Sequence, residues 1–416
     1  MKNKSLQKQI EYVFKNSLFY KNKFKGISLQ ESTLTLSSLP FTTKSELLLD
    51  QKHNPPYGSN LCVELNAIQR IHKTSGTTNT PLILALTKND IKNTIHIGSK
   101  CFNLAGLNKE DVVVHCLNYS MWAGGYTDHH SLEATGATVI PFGVGNTNNL
   151  IETILLLKPT AIHCTPSYLK KIELVLKTDF HILPSDLNLK LGLFGAEPGL
   201  QNPIFRKRIE DDWGLKAMNA NYGLSDVLSM FGTECTLQIG LHFMGDGVLY
   251  PELIDLQTNE GITFEEGAIG ELVLTNLQKE AQPLIRYKTN DIIKILSTTE
   301  CDCGEKGFRF EIVGRTDDML VIKGLNVFMT SVDSVINKFL SSLTGVYQFL
   351  VSKDDPIEDI IVKIEVKDEV DDKESLKNEI IIEFKEKIYL TPIIEFYKEG
   401  DLPRTQGKTK KLLRIL

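Results

Sequence analysis

No stretch of the chain reaches the roughly 18 consecutive apolar residues that a membrane-spanning helix needs. The basic start, Met1-Lys-Asn-Lys-Ser-Leu-Gln-Lys-Gln-Ile10, never develops the apolar run of a secretory signal. Neither a bilayer span nor export is expected. Cysteine is scarce, seven in 416 residues, odd in number and scattered. That excludes a disulfide framework and fits a reducing compartment, by default the cytoplasm. Internal repeats and low-complexity tracts are absent. Positive charge is in deficit, 46 Lys and Arg against 52 Asp and Glu for a formal net charge of −6, so nucleic acid and anionic membrane surfaces are not expected partners. Also missing is the lysine that would close the loop at residues 74–81 as a Walker A motif, which excludes a P-loop NTPase.

What is present is a chain too long for one core. Its 416 residues predict two or three domains, with an ordinary 42% hydrophobic and 24% charged content. Leu6, Ile10, Val13, Phe14, Leu18 and Phe24 recur at near-helical spacing and predict one amphipathic helix over residues 5–24. From 110 to 195, short β-branched runs such as Val112–His115, Ala137–Ile140, Ala161–Cys164 and Leu191–Phe194 alternate with helical stretches, the pattern of βαβ units. The predicted class is α/β, a parallel sheet with helices on both faces. From about 230 to 316, Gly and acidic turns separate strand candidates at Glu252–Asp255, Glu271–Leu274 and Ile292–Ile295, giving a smaller, partly antiparallel β region. The remainder reads as a compact α+β block. Its strands are expected at Met319–Ile322, Ile360–Ile364 and, last, Ile393–Phe396, with helices near Val332–Leu340 and 373–387. A boundary at Asp317 separates a domain of residues 1–316 from one of residues 317–416.

Several short segments carry chemistry. Thr74-Ser75-Gly76-Thr77-Thr78-Asn79-Thr80-Pro81 offers hydroxyls and backbone N–H groups that can converge on phosphate oxygens, although such a cluster is also an ordinary polar turn. Tyr222, between Asn221 and Gly223, would present an aromatic plane on a tight turn for stacking on a purine; a buried structural tyrosine is the competing account. Asp226 supplies the hard carboxylate oxygen that Mg²⁺ requires, and Asp291, five residues after the cation Arg286, can accept both hydroxyls of a ribose. Arg315, Asp317 and Asp318 form a charged turn at the domain boundary. Lys408, in a basic tail, is a candidate terminal cation. Together these parts suit binding ATP and attack on its α-phosphate.

A separate set is Cys235, His242, Cys301 and Cys303. Four thiolate and imidazole ligands, two of them on a Cys-Asp-Cys-Gly turn, suit tetrahedral Zn²⁺. Cys62, Cys101, Cys116 and Cys164 sit among apolar neighbours and read as core.

In this order the segments resemble the adenylate-forming superfamily and, within it, the phenylacetate–CoA ligase family. The likeness includes Leu39-Pro-Phe-Thr-Thr-Lys44, Thr74–Pro81, Gly136–Pro141, Thr165-Pro-Ser-Tyr168, Gly195-Ala-Glu-Pro198, Tyr222–Asp226, Leu284–Tyr287, Gly314–Leu320 and Gly324–Phe328. The resemblance implies that Thr74, Ser75, Gly76, Thr77 and Thr78 hold the phosphates. It gives adenine to Ala196, Glu197 and Tyr222 beside Gly223, Mg²⁺ to Asp226, and ribose to Asp291 and Arg315. It makes Asp317 the hinge of a mobile small domain and Lys408 the adenylating cation, and some family members hold zinc with a Cys, His, Cys, Cys set. The chain departs from the family pattern at Asn79-Thr80, at Asp226 where Glu is usual, and at Gly199.

The reaction implied is ATP-dependent conversion of a carboxylic acid to an acyl-adenylate, then to a thioester of coenzyme A. Tyr119, Trp122, Tyr126, His129 and Gly195 are the expected acid-pocket residues, and the aromatic walls favour an aryl or arylacetic acid. Alternatives are transfer to a carrier-protein thiol or an amine, aminoacyl or fatty-acyl activation, and a catalytically silent nucleotide-binding protein. A homodimer is compatible with the reading.

Overall fold

The computed structural model describes residues 2–27, 36–74, 81–317, 320–322, 325–352, 357, 360–404 and 411–414. The chain divides into two compact units. Met1–Val144, Pro159–His163 and Met218–Ile312 make the first, and Gly145–Lys158, Cys164–Ala217 and Val313–Leu416 the second. No described helix is long and apolar enough to cross a membrane.

Two helices open the chain, α1 (Lys2–Asn16) and α2 (Leu18–Lys23), where one over residues 5–24 is expected. Ser17 breaks them apart: its hydroxyl accepts the Tyr20 N–H at 3.2 Å and caps α2, as short polar side chains do at helix starts. Ile10, Val13, Tyr20 and Phe24 share a core with Leu39 and Ile285, whereas Phe14 and Leu18 of the expected stripe are exposed. Helices α3 (Lys44–His53) and α4 (Lys88–Leu104) each begin with a reciprocal capping box, Thr43 with Glu46 and Thr87 with Asp90. Between them β1 (Ile68–Lys73) and β2 (Ile83–Thr87) pair antiparallel across the loop at residues 74–82.

The alternating pattern then produces parallel pairs. Strand β3 (Val112–His115) lies between β4 (Thr138–Ile140) and β5 (Ala161–Cys164), with helix α5 (Ala123–Glu133) crossing from β3 to β4. All four residues of β5 are buried, so it shows no alternation of apolar and exposed polar residues, and His163 is the polar group it buries. The second unit contributes α6 (Thr147–Leu157), α7 (Pro166–Val175), β6 (Leu191–Gly195) and α8 (Pro203–Trp213).

Beyond residue 215 the first unit turns antiparallel. Strands β7 (Lys216–Leu224), β8 (Leu228–Glu234), β9 (Leu241–Phe243), β10 (Leu249–Ile254), β11 (Gly261–Ile262), β12 (Ile269–Asn276), β13 (Tyr287–Ser297) and β14 (Arg309–Arg315) lie in the order β11-β10-β12-β13-β14-β9-β8-β7. The three strand candidates of this region fall within β10, β12 and β13. The whole is mixed α/β with a large multi-stranded sheet, as the sequence predicts.

The second unit closes with β15 (Leu320–Ile322), β16 (Leu325–Val327), α9 (Met329–Lys338), β17 (Leu343–Val351), β18 (Ile360–Val366), α10 (Lys373–Ile388), β19 (Ile393–Lys398) and β20 (Leu412–Arg414). A separate four-stranded sheet, β19-β18-β17-β20, packs Phe349, Val362 and Ile364 against Val332, Ile336, Ile380 and Phe384 of the two helices. Ile393–Phe396 is therefore not the last strand, because β20 pairs in parallel with β17. Neither β17 nor β20 is anticipated from the sequence.

Inside this sheet Glu365 is fully buried, and Arg404 grips it with both nitrogens at 2.9 and 2.6 Å. The backbone N–H of Leu402 adds a third bond at 2.8 Å. Removing one partner of such a pair strands a buried charge. Arg404→Met is expected to destabilise the protein by about 3 kcal/mol in chemical denaturation, and Arg404→Met with Glu365→Leu by much less.

Candidate active site

The nucleotide candidates of the first unit sit on β7, the turn after it, and β13. Tyr222 lies within strand β7 rather than on the expected tight turn, with its ring edge-on to Phe231 and Phe310 at 5.1 and 5.5 Å. Its hydroxyl donates to Asp291 Oδ2 at 2.8 Å. Asp291 follows Asn290, whose φ of 63° marks an irregularity in β13, and the Asp291 N–H donates to Thr289 Oγ1. Gly223 answers a steric demand: a Cβ there would lie 2.0 Å from the carbonyl oxygen of Ser229 on β8. Only glycine permits that approach.

Asp226 occupies the turn from β7 to β8 and is buried. Its Oδ2 accepts the Tyr287 hydroxyl at 2.6 Å and lies 3.6 Å from the Lys44 ammonium. The buried Lys279 ammonium donates to the backbone carbonyl of the same residue at 2.6 Å and to that of Val227 at 3.4 Å. Burial lowers the Lys279 pKa, with the charges of Asp90 and Asp226 opposing it. Lys44, Tyr287 and Lys279 have no role in the sequence reading. The signals were faint: Lys44 follows a capping threonine, and Tyr287 follows Arg286. Arg286, read as the fixed cation of the ribose segment, is instead committed to packing. It pairs with Glu252 at 3.1 Å, donates to the carbonyls of Ser37 and Leu39, and stacks on Phe41 with 4.0 Å to the ring centre.

Ser75, Gly76, Thr77 and Thr78 lie outside the described residues, as does Lys408. Thr74 stands at the neck of the loop. Its N–H donates to the Leu82 carbonyl and its hydroxyl oxygen accepts the Leu82 N–H, both at 3.0 Å. That double closure ties off the segment between β1 and β2. Next to it, the Lys73 N–H donates to the Met121 carbonyl at 2.7 Å, and Lys73 bridges to Trp122, the residue that precedes α5.

The acid-pocket candidates on this helix do come together. Tyr119 Oη and His129 Nδ1 share a hydrogen bond of 3.0 Å, Tyr126 lies edge-on to Tyr119 at 6.4 Å, and the Arg70 guanidinium covers the Tyr126 ring at 4.6 Å. Burial pushes the Tyr119 phenol up, so it remains protonated.

In the second unit Gly195 ends β6, and Ala196 follows in the left-handed region at φ 64°. Glu197 Oε2 accepts the Ser167 N–H at 3.2 Å, in the first turn of α7. Such an acceptor suits the orphan donors of a helix start. Arg315 clasps Asp317 bidentately at 2.8 and 2.9 Å, so the ribose and hinge candidates hold each other.

The four metal candidates also converge. The ligand atoms of Cys235, His242, Cys301 and Cys303 all lie within 4.8 Å of one another, with Cys303 Sγ 3.7 Å from His242 Nε2. Burial and Arg309 push His242 down to about 4, which keeps its imidazole neutral, the form that ligates metal.

Comparison with known proteins agrees with this geometry. Residues 324–414 match the AMP-binding enzyme C-terminal domain. Among solved structures, a 2-hydroxyisobutyryl-CoA ligase in the postadenylation state shares the fold with a TM-score of 0.90 at 22% identity, over 99% of this chain and 88% of that one. The phenylacetate–coenzyme A ligases of Pseudomonas putida and Aromatoleum evansii are 31% and 32% identical to it, over 97% and 98% of this chain and 91% and 92% of theirs. The class is that of the AMP-forming ligases, which activate a carboxylic acid as its acyl-adenylate and pass the acyl group to coenzyme A. Within that class the chain belongs to the phenylacetate–coenzyme A ligase family.

The buried histidines of this unit predict a pH dependence. Burial, with Arg70 adding, pushes His72 down to about 4, and burial does the same to His115. Unfolded, each takes up a proton near pH 6.5. Because the unfolded chain binds more protons in this window, stability is full above about pH 6.5 and falls as pH drops toward 4. Urea midpoints measured across that range should decline, and His72→Gln should flatten the decline.

Proposed function

We propose that the acid this ligase activates is an aryl or arylacetic acid, and that Tyr119, Trp122, Tyr126, His129 and Gly195 shape its pocket. The observation that carries this is the aromatic cluster formed by Tyr119, just before α5, with Tyr126 and His129 on its first two turns, hydrogen-bonded within itself, while Trp122 at the helix start is joined by backbone contacts to the strand that leads into Thr74. Flat aromatic walls favour a flat acyl group. The relatives named phenylacetate–coenzyme A ligase support the same class.

In the first half-reaction the carboxylate oxygen attacks the α-phosphorus of ATP, the bond to pyrophosphate breaks, and an acyl-adenylate forms. Thr74, Ser75, Gly76, Thr77 and Thr78 take the phosphate oxygens. Lys408 offsets charge as it develops on the transferring phosphoryl group. Tyr222 with Gly223, Ala196 and Glu197 take adenine, and Asp291 and Arg315 take the ribose hydroxyls. Asp226 suits Mg²⁺, being a buried carboxylate with a hard oxygen held by one phenol, and the ion would neutralise phosphate charge. For the second half-reaction, residues 317–416 turn about Asp317, Lys408 withdraws, and the thiol of coenzyme A attacks the acyl carbon with AMP leaving. The scarcity of cysteine, seven in 416 residues, supports a cytoplasmic setting.

The test is acid-dependent exchange of pyrophosphate into ATP across aryl, arylacetic and alkyl acids, followed by mass detection of the thioester. Aryl or arylacetic acids should give the fastest exchange, and an alkyl acid as the best substrate would sink the assignment. Lys408→Ala should slow adenylate formation about a hundredfold while sparing thioester formation from ready-made adenylate.

We also infer a structural Zn²⁺ on Cys235, His242, Cys301 and Cys303. The ion would tie the β8–β9 connection to the turn at 301–304. Protein purified without chelator should carry close to one equivalent of zinc, and Cys301→Ser should lower the thermal midpoint by several degrees. Less than about half an equivalent, with an unmoved midpoint, would refute the site.

A further inference from the structure

Helix α5 is anchored by a chain of buried polar groups that the adenylation chemistry does not use. His115, at the end of β3, places Nε2 2.8 Å from the carbonyl oxygen of Gly125 in the first turn of α5. Its Nδ1 lies 2.8 Å from Nδ1 of His163 on β5, and the two rings stack 4.9 Å apart and 13° from parallel. His163 Nε2 is 3.9 Å from Asp128 Oδ2 on the second turn of α5. That oxygen accepts the side-chain amide of Asn221 on β7 at 2.5 Å, one residue before Tyr222. His115, His163 and Asp128 are each 0% exposed, and among the described residues neither Asp128 Oδ1 nor His163 Nε2 has a hydrogen-bond partner.

Elementary bonding rules determine the protons along this chain. The Gly125 carbonyl can only accept, so His115 carries its proton on Nε2. In the neutral ring, Nδ1 is then an acceptor, so the short contact requires His163 to donate from its own Nδ1. A neutral His163 is left with a bare Nε2 facing Asp128. Burial pushes both imidazoles down and the Asp128 carboxyl up, so no member gains a charge by itself.

We propose that Asp128, His163 and His115 are positioning residues acting as one unit, a one-directional pair of tautomers on the Gly125 carbonyl faced at 3.9 Å by the Asn221-held Asp128, which ties the first two turns of α5 to strands β3, β5 and β7. The proposal rests on the reading that Trp122, Tyr126 and His129 meet the acid. It adds that their placement is set by this polar anchor and not by apolar packing alone. Because Asn221 adjoins Tyr222, the same anchor fixes the acid-bearing helix relative to the nucleotide-bearing strand.

Two measurements test it. In the full-length protein labelled with ¹⁵N-histidine, His115 should appear as the Nε2–H tautomer and His163 as Nδ1–H, and neither should titrate between about pH 5 and 8. An Nδ1–H tautomer at His115, or titration of either ring near the ordinary value, overturns the chain. This arm needs no turnover and no variant, so it decides the matter even if a substitution fails to fold. Kinetically, Asp128→Asn can still accept from Asn221 through its oxygen and donate to His163 through its amide. It should hold KM for the acid within about threefold, whereas Asp128→Ala should raise that KM about tenfold and move KM for ATP less than about twofold. Trp122→Ala is run alongside. An acid KM that responds to Trp122→Ala but not to Asp128→Ala overturns the positioning role, and one that responds to neither overturns both the pocket reading and the proposal.

Discussion

The irregular segment Leu277–Arg286, between β12 and β13, is the constraint on which the rest of the first unit depends. A buried segment without strand or helix partners needs another acceptor or donor for each backbone group. Here the first ninety residues supply many of them, and Thr275, Asn276 and Val248 others. Gln9 and Tyr12 donate to the carbonyls of Lys279 and Glu280, and Asp90 accepts the N–H groups of Glu280 and Ala281. The Cys62 N–H donates to the Ala281 carbonyl, the Tyr20 hydroxyl oxygen accepts the Ile285 N–H, and Thr42 donates to the Ile285 carbonyl. Gln282 in turn bonds Tyr57 and Ala85. The opening helices, which carry no chemistry of their own, exist in physical terms to satisfy this segment.

What the segment delivers is a pair of side chains aimed at one turn. Lys279 leaves it to hold the carbonyls of Asp226 and Val227, and Tyr287, just beyond its end, holds the Asp226 carboxylate. A parallel device operates between the same two segments, where the Tyr222 hydroxyl of β7 holds Asp291 of β13. Both carboxylates are thus oriented by a phenol rather than by a full cation in close contact. A neutral donor fixes the rotamer of the carboxylate, which a metal ion or a sugar hydroxyl requires of its ligand.

The sequence disclosed what depends on composition over a few consecutive residues. The β-branched runs at Val112–His115 and Ala161–Cys164 are strands because they are buried on both faces, and the alternation of such runs with helices was enough to call α/β. The Cys-Asp-Cys-Gly turn disclosed the cluster with Cys235 and His242 because each ligand type is rare and chemically distinctive. It concealed what depends on pairing across the chain. Tyr222 looked like a turn residue because Asn and Gly flank it, yet the glycine serves strand packing against Ser229. Arg286 looked like part of the site because it is near Asp291 in sequence, while its charge is consumed by Glu252 and the carbonyls of residues 37 and 39. Strand β20 is three residues in a basic tail and exists only because β17 offers an edge.

The same distinction separates two kinds of polar burial in the molecule. At Glu365 a buried carboxylate meets a bidentate guanidinium and an N–H, so both of its oxygens are bonded, as in a structural ion pair. At Asp128 and His163 the demands are met incompletely, with Asp128 Oδ1 and His163 Nε2 unpartnered among the described residues. An apolar pair of similar size would spare that desolvation, so folding stability alone gives no reason for the arrangement. Its reason must lie in orientation: hydrogen bonds have direction where apolar contacts have little, and the bonds from His115 to Gly125 and from Asn221 to Asp128 fix both the rotation and the axial position of the helix that carries Tyr126 and His129.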